Sequence, residues 1–530
     1  MLRTDGADSR RGLALSALFS LLCAAPLLGS AYHVDEPYFL AIARQILRDP
    51  LHPLSFDYNW FGAVQPMSQL IAYASSLPYL EAAALRVTGG SEWGMRLLFL
   101  PFDALAAGSL YLFASRFLPR PLLPVLIILA SPGYLLGMRL LMAEKLVAAF
   151  GFSALYALGR GLLDERRASY WVSALLLGLA LLAKPSAIFL FAPVLRWQWS
   201  RGVPHARIAS HLALSLSPCL LALGLDLACG NPRIGRMGVH AGAALSSLLS
   251  EPSHTLRSLL AFAGGGAAVP AAWPFLSEKK RAAWTPALVA AMLLFLPALD
   301  RGPVNLQDRA LGLALTAGAL LSFQRLLRAD GPWLPWAASV AVLQVSIYWS
   351  VVGRFMMFII PPFVLGMASL LEKEWPERSA HRLQLASLAL SLPLSACLLW
   401  VDSRHADAQR ELAALLASKS AGRRLWFTGH WGVQHYMESA GAEPLDRGAG
   451  GWARVRPGNL VVVPAVNTNQ VRPGAGVLAD VHEVRVDSAV PLRVLSNFGG
   501  QAGFYSNIFG FLHYSVSTEP LEVFTLVEPR

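Results

Sequence analysis

Charge and cysteine are the two things this sequence has little of. Only 15% of its 530 residues are charged, where soluble proteins carry about a quarter, and 55% are hydrophobic. A water-soluble globule is thereby excluded, because so much apolar surface has to be dissolved in lipid. The four cysteines, Cys23, Cys219, Cys229 and Cys397, stand singly and mostly within apolar runs. That excludes a disulfide framework and a thiolate metal site, and leaves them as core packing. A continuous basic stripe is also missing. The net charge of +11 comes from small Lys and Arg clusters between apolar runs, so it implies a membrane surface as partner and no nucleic acid.

What is present is hydrophobic length. Uncharged or nearly uncharged runs fall at 12–31, 97–115, 121–138, 146–159, 168–183, 185–195, 208–225, 258–277, 282–299, 310–324, 331–353, 355–371 and 383–401. These predict an all-α polytopic domain of about thirteen transmembrane helices, the shorter runs extending into their charged flanks. Arg10 and Arg11 precede a run about as long as a span, so they read as inside-positive flanks and not as part of a cleaved signal. With the N-terminus inside, the inside loops hold 19 Lys and Arg in 57 residues, and the outside loops before residue 383 hold 13 in 116. That asymmetry fixes the expected orientation. The stretch 66–85 resembles one more span, but counting it would put Arg116, Arg120, the Arg160–Arg167 cluster and the Lys279, Lys280, Arg281 run outside. It is therefore expected to lie at the outer interface.

Beyond residue 401 the pattern changes to strand-like runs at 424–428, 459–466, 482–486 and 521–527, alternating with helical ones and with Gly-rich and Pro-rich turns. The expected division is a transmembrane domain over 1–401, with a first outer loop at about 32–96, and a soluble C-terminal α/β domain over 402–530 on the outer side.

Ionisable groups near a bilayer are informative because they are costly to place there. His33, Asp35, Glu36, Arg139, Glu144, Lys145, Lys184 and Arg354 all fall on the expected outer side, at the ends of apolar runs. Transfer from a lipid phosphate needs a base beside the attacking group and positive charge on the departing phosphate. Asp35 suits the first role, and Lys184 with Arg354 the second. Asp103 lies seven residues after Arg96 and is expected on the same helix face. Asp300, Arg301, Asp308 and Arg309 read as loop charges. His430 and His435, five apart, are poorly spaced as joint ligands and read as packing or acceptor contacts, with no metal site.

Five motifs occur in order: "HVDEPYFLAIAR", "GGSEWGMRLLFLP", "SPGYLLGMRLLMAEKLVAAF", "GLALLAKPSAIFLFAPVL" and "GRFMMFIIPPFVLGMASL". Together they resemble the polyprenyl-phosphate-dependent membrane glycosyltransferases of the C superfold, which include protein O-mannosyltransferases and lipid A aminoarabinose transferases. The resemblance spans roughly residues 10–375. It implies an inverting transferase in a bacterial inner membrane, moving a sugar from a polyprenyl-phosphate donor to a lipid, glycan or protein acceptor on the periplasmic side. It implies catalytic roles for Asp35 and Glu36 and donor or substrate contacts at Glu144, Lys184 and Arg354, to which their place on the outer side beside Glu144 adds Arg139 and Lys145. In "LSFDYNWFGAVQPMSQL" the family's second first-loop acid has no counterpart at the usual spacing, and Asp57 is the nearest substitute. No cofactor is required, and a divalent cation is left open. The competing classes are a lipid-linked sugar flippase, disfavoured because the charges gather at one face and no paired repeats appear, and a non-catalytic envelope assembly protein.

Overall fold

The computed structural model describes residues 6–71, 76–230, 242, 246, 248–277, 284–300, 302–348, 350–419, 422–472 and 479–529. A helical bundle begins with α1 (Gly6–Ala24), α2 (Glu36–Arg48), α3 (Leu77–Thr88), α4 (Glu92–Ala114), α5 (Leu122–Ala130), α6 (Pro132–Arg139), α7 (Ala143–Leu163), α8 (Arg167–Ala183), α9 (Phe191–Ser200) and α10 (His205–Ala228). It continues with α11 (Pro252–Ala267), α12 (Trp273–Ser277), α13 (Thr285–Leu294), α14 (Leu306–Leu326), α15 (Trp333–Ser346), α16 (Ile360–Glu374) and α17 (Glu377–Lys419).

Among the described residues, six helices are long and apolar enough to cross a membrane, or up to eight if each of two bent pairs is one span. The expected thirteen are not confirmed by this measure, and hydropathy records neither direction nor regularity. The run 121–138 is α5 and α6, bent by 61° at Ser131, whose extended backbone precedes Pro132 as proline demands. The run 258–277 turns by 108° at Ala268, held at φ 51°. Run 185–195 is a 3-10 turn followed by α9. The helices in 168–183, 282–299 and 331–353 are 10–17 residues long, at or below the lower end of the roughly 17–25 residues of a span. In the stretch 66–85, α3 has only 12 residues and is no span. It ends on Gly89, whose φ of +65° is the left-handed cap glycine accepts most readily. The run Lys279, Lys280, Arg281 lies outside the described residues.

Close helix contact depends on small residues. A Cβ added at Gly264 of α11 would lie 2.1 Å from the Leu315 carbonyl oxygen of α14. The four cysteines are half-buried, and Cys23 and Cys219 pack against the hydrophobic core.

The C-terminal sheet comprises β3 (Leu425–Phe427), β4 (Glu443–Pro444), β5 (Leu460–Pro464), β6 (Ala479–Val486) and β7 (Glu522–Pro529), while β1 (Asp57–Asn59) and β2 (Val64–Pro66) form a small hairpin in the first loop. The strand order is β4-β3-β5-β7-β6, with β4, β3 and β5 parallel and β7 antiparallel to both neighbours. Helix α18 (Gly432–Ser439) crosses from β3 to β4. The expected boundary at 401/402 is no break in the chain, since α17 runs through it for 43 residues. The segment after β6 returns to the bundle, where the Gly353 amide donates to the Phe504 carbonyl at 2.6 Å and the Asn507 amide to Val351 at 3.0 Å.

Candidate functional site

Four charged side chains from four separate segments meet at one end of the bundle. Asp35 occupies the N-cap position of α2, yet its side chain makes no capping bond. Its Oδ2 accepts instead from Arg354 Nη1 at 2.9 Å. The preceding residue, Val34, is held at φ 49°, a conformation that costs a β-branched residue about 1–3 kcal/mol and is typical of functional turns. Arg354 sits on a 3-10 helix, Gly353–Phe358, between α15 and α16. Its Nε lies 3.0 Å from Glu144 Oε1, and the same oxygen accepts from Lys184 Nζ at 2.8 Å. Glu144 is in the first turn of α7, where the helix dipole favours a carboxylate. Lys184 closes α8, and its ammonium lies 4.8 Å from the Phe355 ring centroid, a favourable cation–π distance.

The two carboxylates differ in access. The Asp35 side chain keeps 26% exposure and that of Glu144 1%, so only Asp35 can meet an incoming acceptor. Gly353 permits the arrangement because a Cβ there would stand 2.5 Å from Phe504. Trp60, after β1, packs edge-on to His430 with ring centroids 4.4 Å apart. His430 Nδ1 also donates to the Thr468 carbonyl at 3.1 Å. Burial lowers its pKa to about 4, and Asp35, close enough to be felt electrostatically, opposes that shift. His435 is likewise pushed down to about 4 by burial.

The other residues anticipated from the sequence lie elsewhere. Glu36 is fully buried and its oxygens are taken up by the His33 amide at 2.6 Å, the Leu141 amide at 2.8 Å and Arg96 Nη2 at 3.1 Å. It anchors the first loop to the α6–α7 junction and does not join Asp35. Asp57 is exposed on β1 and does not contribute to the cluster. Lys145 points to Asp103 of α4, with contacts of 2.7 and 2.9 Å. Asp103 therefore pairs across helices, as a structural polar contact. Arg139 binds Asp402 of α17. Asp300, read as a loop charge, pairs with buried Arg257 at 2.8 Å and with Arg309. Asp308 is buried and accepts the Gln501 amide at 2.9 Å. Arg301 lies outside the described residues.

Sequence reasoning missed the network around Asp402. Tyr505 donates to Asp402 Oδ2 at 2.8 Å, His33 Nε2 lies 3.7 Å from Oδ1, and the His33 and His405 rings pack edge-to-face. The only signal was an acid directly after the apolar run 383–401. Among the described residues no three His, Cys, Asp or Glu side chains group as metal ligands.

Fold and site together define a multi-pass helical membrane protein with a paired acid and base cluster at the end that carries the C-terminal domain. Residues 75–223 match the family described as dolichyl-phosphate-mannose-protein mannosyltransferase, in keeping with the resemblance to polyprenyl-phosphate-dependent glycosyltransferases carried by the motifs. That stretch includes Glu144 and Lys184 but neither Asp35 nor Arg354. No curated protein matches the chain in sequence. Among solved structures, it is similar to apo ArnT from Cupriavidus metallidurans, at 13% identity over 85% of this chain and 92% of that one, with a TM-score of 0.40. It is also similar to the apo oligosaccharyltransferase of Archaeoglobus fulgidus, at 12% identity over 83% and 64%, TM-score 0.38. A third likeness is arabinosyltransferase EmbB from Mycobacterium smegmatis, at 14% identity over 94% and 49%, TM-score 0.32.

Proposed function

We propose that this protein is an inverting glycosyltransferase that moves a sugar from a polyprenyl-phosphate donor to a lipid, glycan or protein acceptor on the periplasmic side of a bacterial inner membrane. The observation that carries the reading is the shared position of Arg354, between an accessible carboxylate, Asp35, and a buried one, Glu144. Glu144 holds Arg354 and Lys184 in place without itself reaching the substrate. An entering lipid phosphate competes with Asp35 for Arg354 Nη1, because phosphate oxygens accept charge-assisted hydrogen bonds at least as well as a carboxylate. Asp35 is then freed to take the proton of the acceptor hydroxyl or amine. The acceptor atom bonds to the anomeric carbon as the bond from that carbon to the phosphate oxygen breaks. The electron pair leaves on the polyprenyl phosphate, whose charge Arg354 and Lys184 offset.

The test is transfer by purified Asp35→Asn protein from a polyprenyl-phospho-sugar. Transfer is expected to vanish while insertion and folding persist, and full transfer by the variant would remove Asp35 from the mechanism. In proteoliposomes, vectorial movement of the lipid-sugar without any new glycosidic bond would replace the proposal with a flippase.

A further inference from the structure

The stretch of chain that leads into Arg354 is not helical. It runs from the end of α15 at Ser346 to the 3-10 helix that opens at Gly353, with Val352 in extended backbone at φ −121° and ψ 122°. Val351, Val352 and Gly353 are buried, so their backbone groups need partners from another part of the molecule. A short stretch of the C-terminal domain supplies three of them. The Val351 amide donates to Asn507 Oδ1 at 3.1 Å, and the Val351 carbonyl accepts from the Asn507 amide at 3.0 Å. The Gly353 amide donates to the Phe504 carbonyl at 2.6 Å.

Asn507 is itself held firmly. It is buried, its carbonyl accepts from His254 Nε2 at 2.9 Å, and its Nδ2 stands 3.4 Å from Ser258 Oγ. His254 and Ser258 lie one turn apart on α11, so a single residue ties the approach to Arg354 onto that helix. Tyr505, between Phe504 and Asn507, donates to Asp402 Oδ2 at 2.8 Å. The other oxygen of Asp402 lies 3.7 Å from His33 Nε2, just before Asp35 in the chain. The stretch 504–507 therefore braces the chain next to both members of the Asp35–Arg354 ion pair.

We propose that Asn507 is a positioning residue for Arg354. By gripping Val351 with its backbone amide and its side-chain oxygen together, it sets where the Arg354 guanidinium stands between Asp35 and Glu144. The C-terminal domain thus completes the reacting cluster of the helical bundle without contributing a reacting group. Alanine at 507 leaves the buried Val351 amide without its acceptor, a costly state that the segment relieves by shifting, and Arg354 shifts with it. The inference rests on the glycosyl-transfer reading.

The test is a double-mutant cycle on the full-length protein, with transfer from the polyprenyl-phospho-sugar that the wild type consumes measured well below each variant's unfolding midpoint. Asn507→Ala is expected to lower kcat about tenfold, since a misplacement of about 1 Å can cost about a hundredfold, with little change in the donor KM. Asn507→Leu, which fills the same space without the accepting oxygen, is expected to do the same and serves if the alanine variant does not fold. In an Arg354→Lys background either substitution should lower kcat less than about twofold further, because the group it positions is already gone. A merely structural role would cost the same factor in both backgrounds, and that result would overturn the proposal, as would wild-type kcat in both single variants. Asp35→Asn in the same assay keeps the two readings apart. Full transfer by that variant removes the mechanism, whereas an inactive Asp35→Asn beside a fully active Asn507→Leu removes only the positioning role.

Discussion

Asp402 of α17 and Arg139 of α6 form an ion pair in which both side chains are buried, although 263 positions separate them in the chain. Removing either partner strands the other in a low-dielectric setting, which destabilises proteins by about 3–5 kcal/mol. Asp402→Ala is expected to lower the thermal unfolding midpoint clearly. Glu411→Ala, which breaks an exposed pair with Arg404 on the same helix, should change it little, since such pairs contribute about 0–1 kcal/mol. Parallel unfolding curves in one detergent make the comparison, and equal midpoints would contradict the burial argument.

Asp35 and Glu36 are adjacent and chemically alike but are expected to fail differently. Asp35→Asn should fold and lose transfer. Glu36→Gln should lose stability first, because it weakens the buried Arg96 pair and the acceptors for the His33 and Leu141 amides. Measuring yield of monodisperse protein alongside transfer separates the two, and a stable, inactive Glu36→Gln would put Glu36 back among the reacting groups.

Arg354→Lys tests the bridging role. An ammonium is a point charge and cannot hold Asp35 and Glu144 with separate nitrogens of one rigid plane. Transfer should fall by about a hundredfold if one transition-state donor is lost, with most of the loss in kcat. An unchanged kcat with a raised KM would mean that Arg354 only binds the donor.

The response to pH follows from His430. Its pKa in the folded protein is about 4 against roughly 6.5 in an unfolded chain. Between those values the unfolded chain binds more protons than the folded one, so stability falls as pH drops from about 6.5 to 4 and this contribution levels off below that. His430→Asn should flatten the decline in that window. An identical pH profile in wild type and variant would exclude His430 as a contributor.

Much of the cluster was legible because lipid makes charge expensive. Asp35, Glu144, Lys184 and Arg354 each stand at the edge of an apolar run, and a charge in that position needs a reason. Their partners were harder to read. Helical periodicity put Asp103 on the face of Arg96, and both line one cavity, but it could not name the partner of Asp103, Lys145, on a helix that only packing brings near. The four strand-like stretches after residue 420 all contain strands, because alternation and turn residues are local signals. The return of residues 503–507 onto Gly353 and Val351 carries no local signal at all. The bends were not legible for a related reason: composition is unchanged through Ser131 and Ala268, while direction is not.

At about 1.5 Å per residue, the 43 residues of α17 extend roughly 65 Å, about twice the thickness of a bilayer's hydrocarbon core. Asp402 and His405 keep their partners only while that rod preserves its helical phase. Each residue inserted before them would swing everything beyond by about 100° and advance it by 1.5 Å. A foreign tail grafted near this point must therefore arrive in the same angular setting, and single-residue insertions there should do more harm than longer ones in the loops.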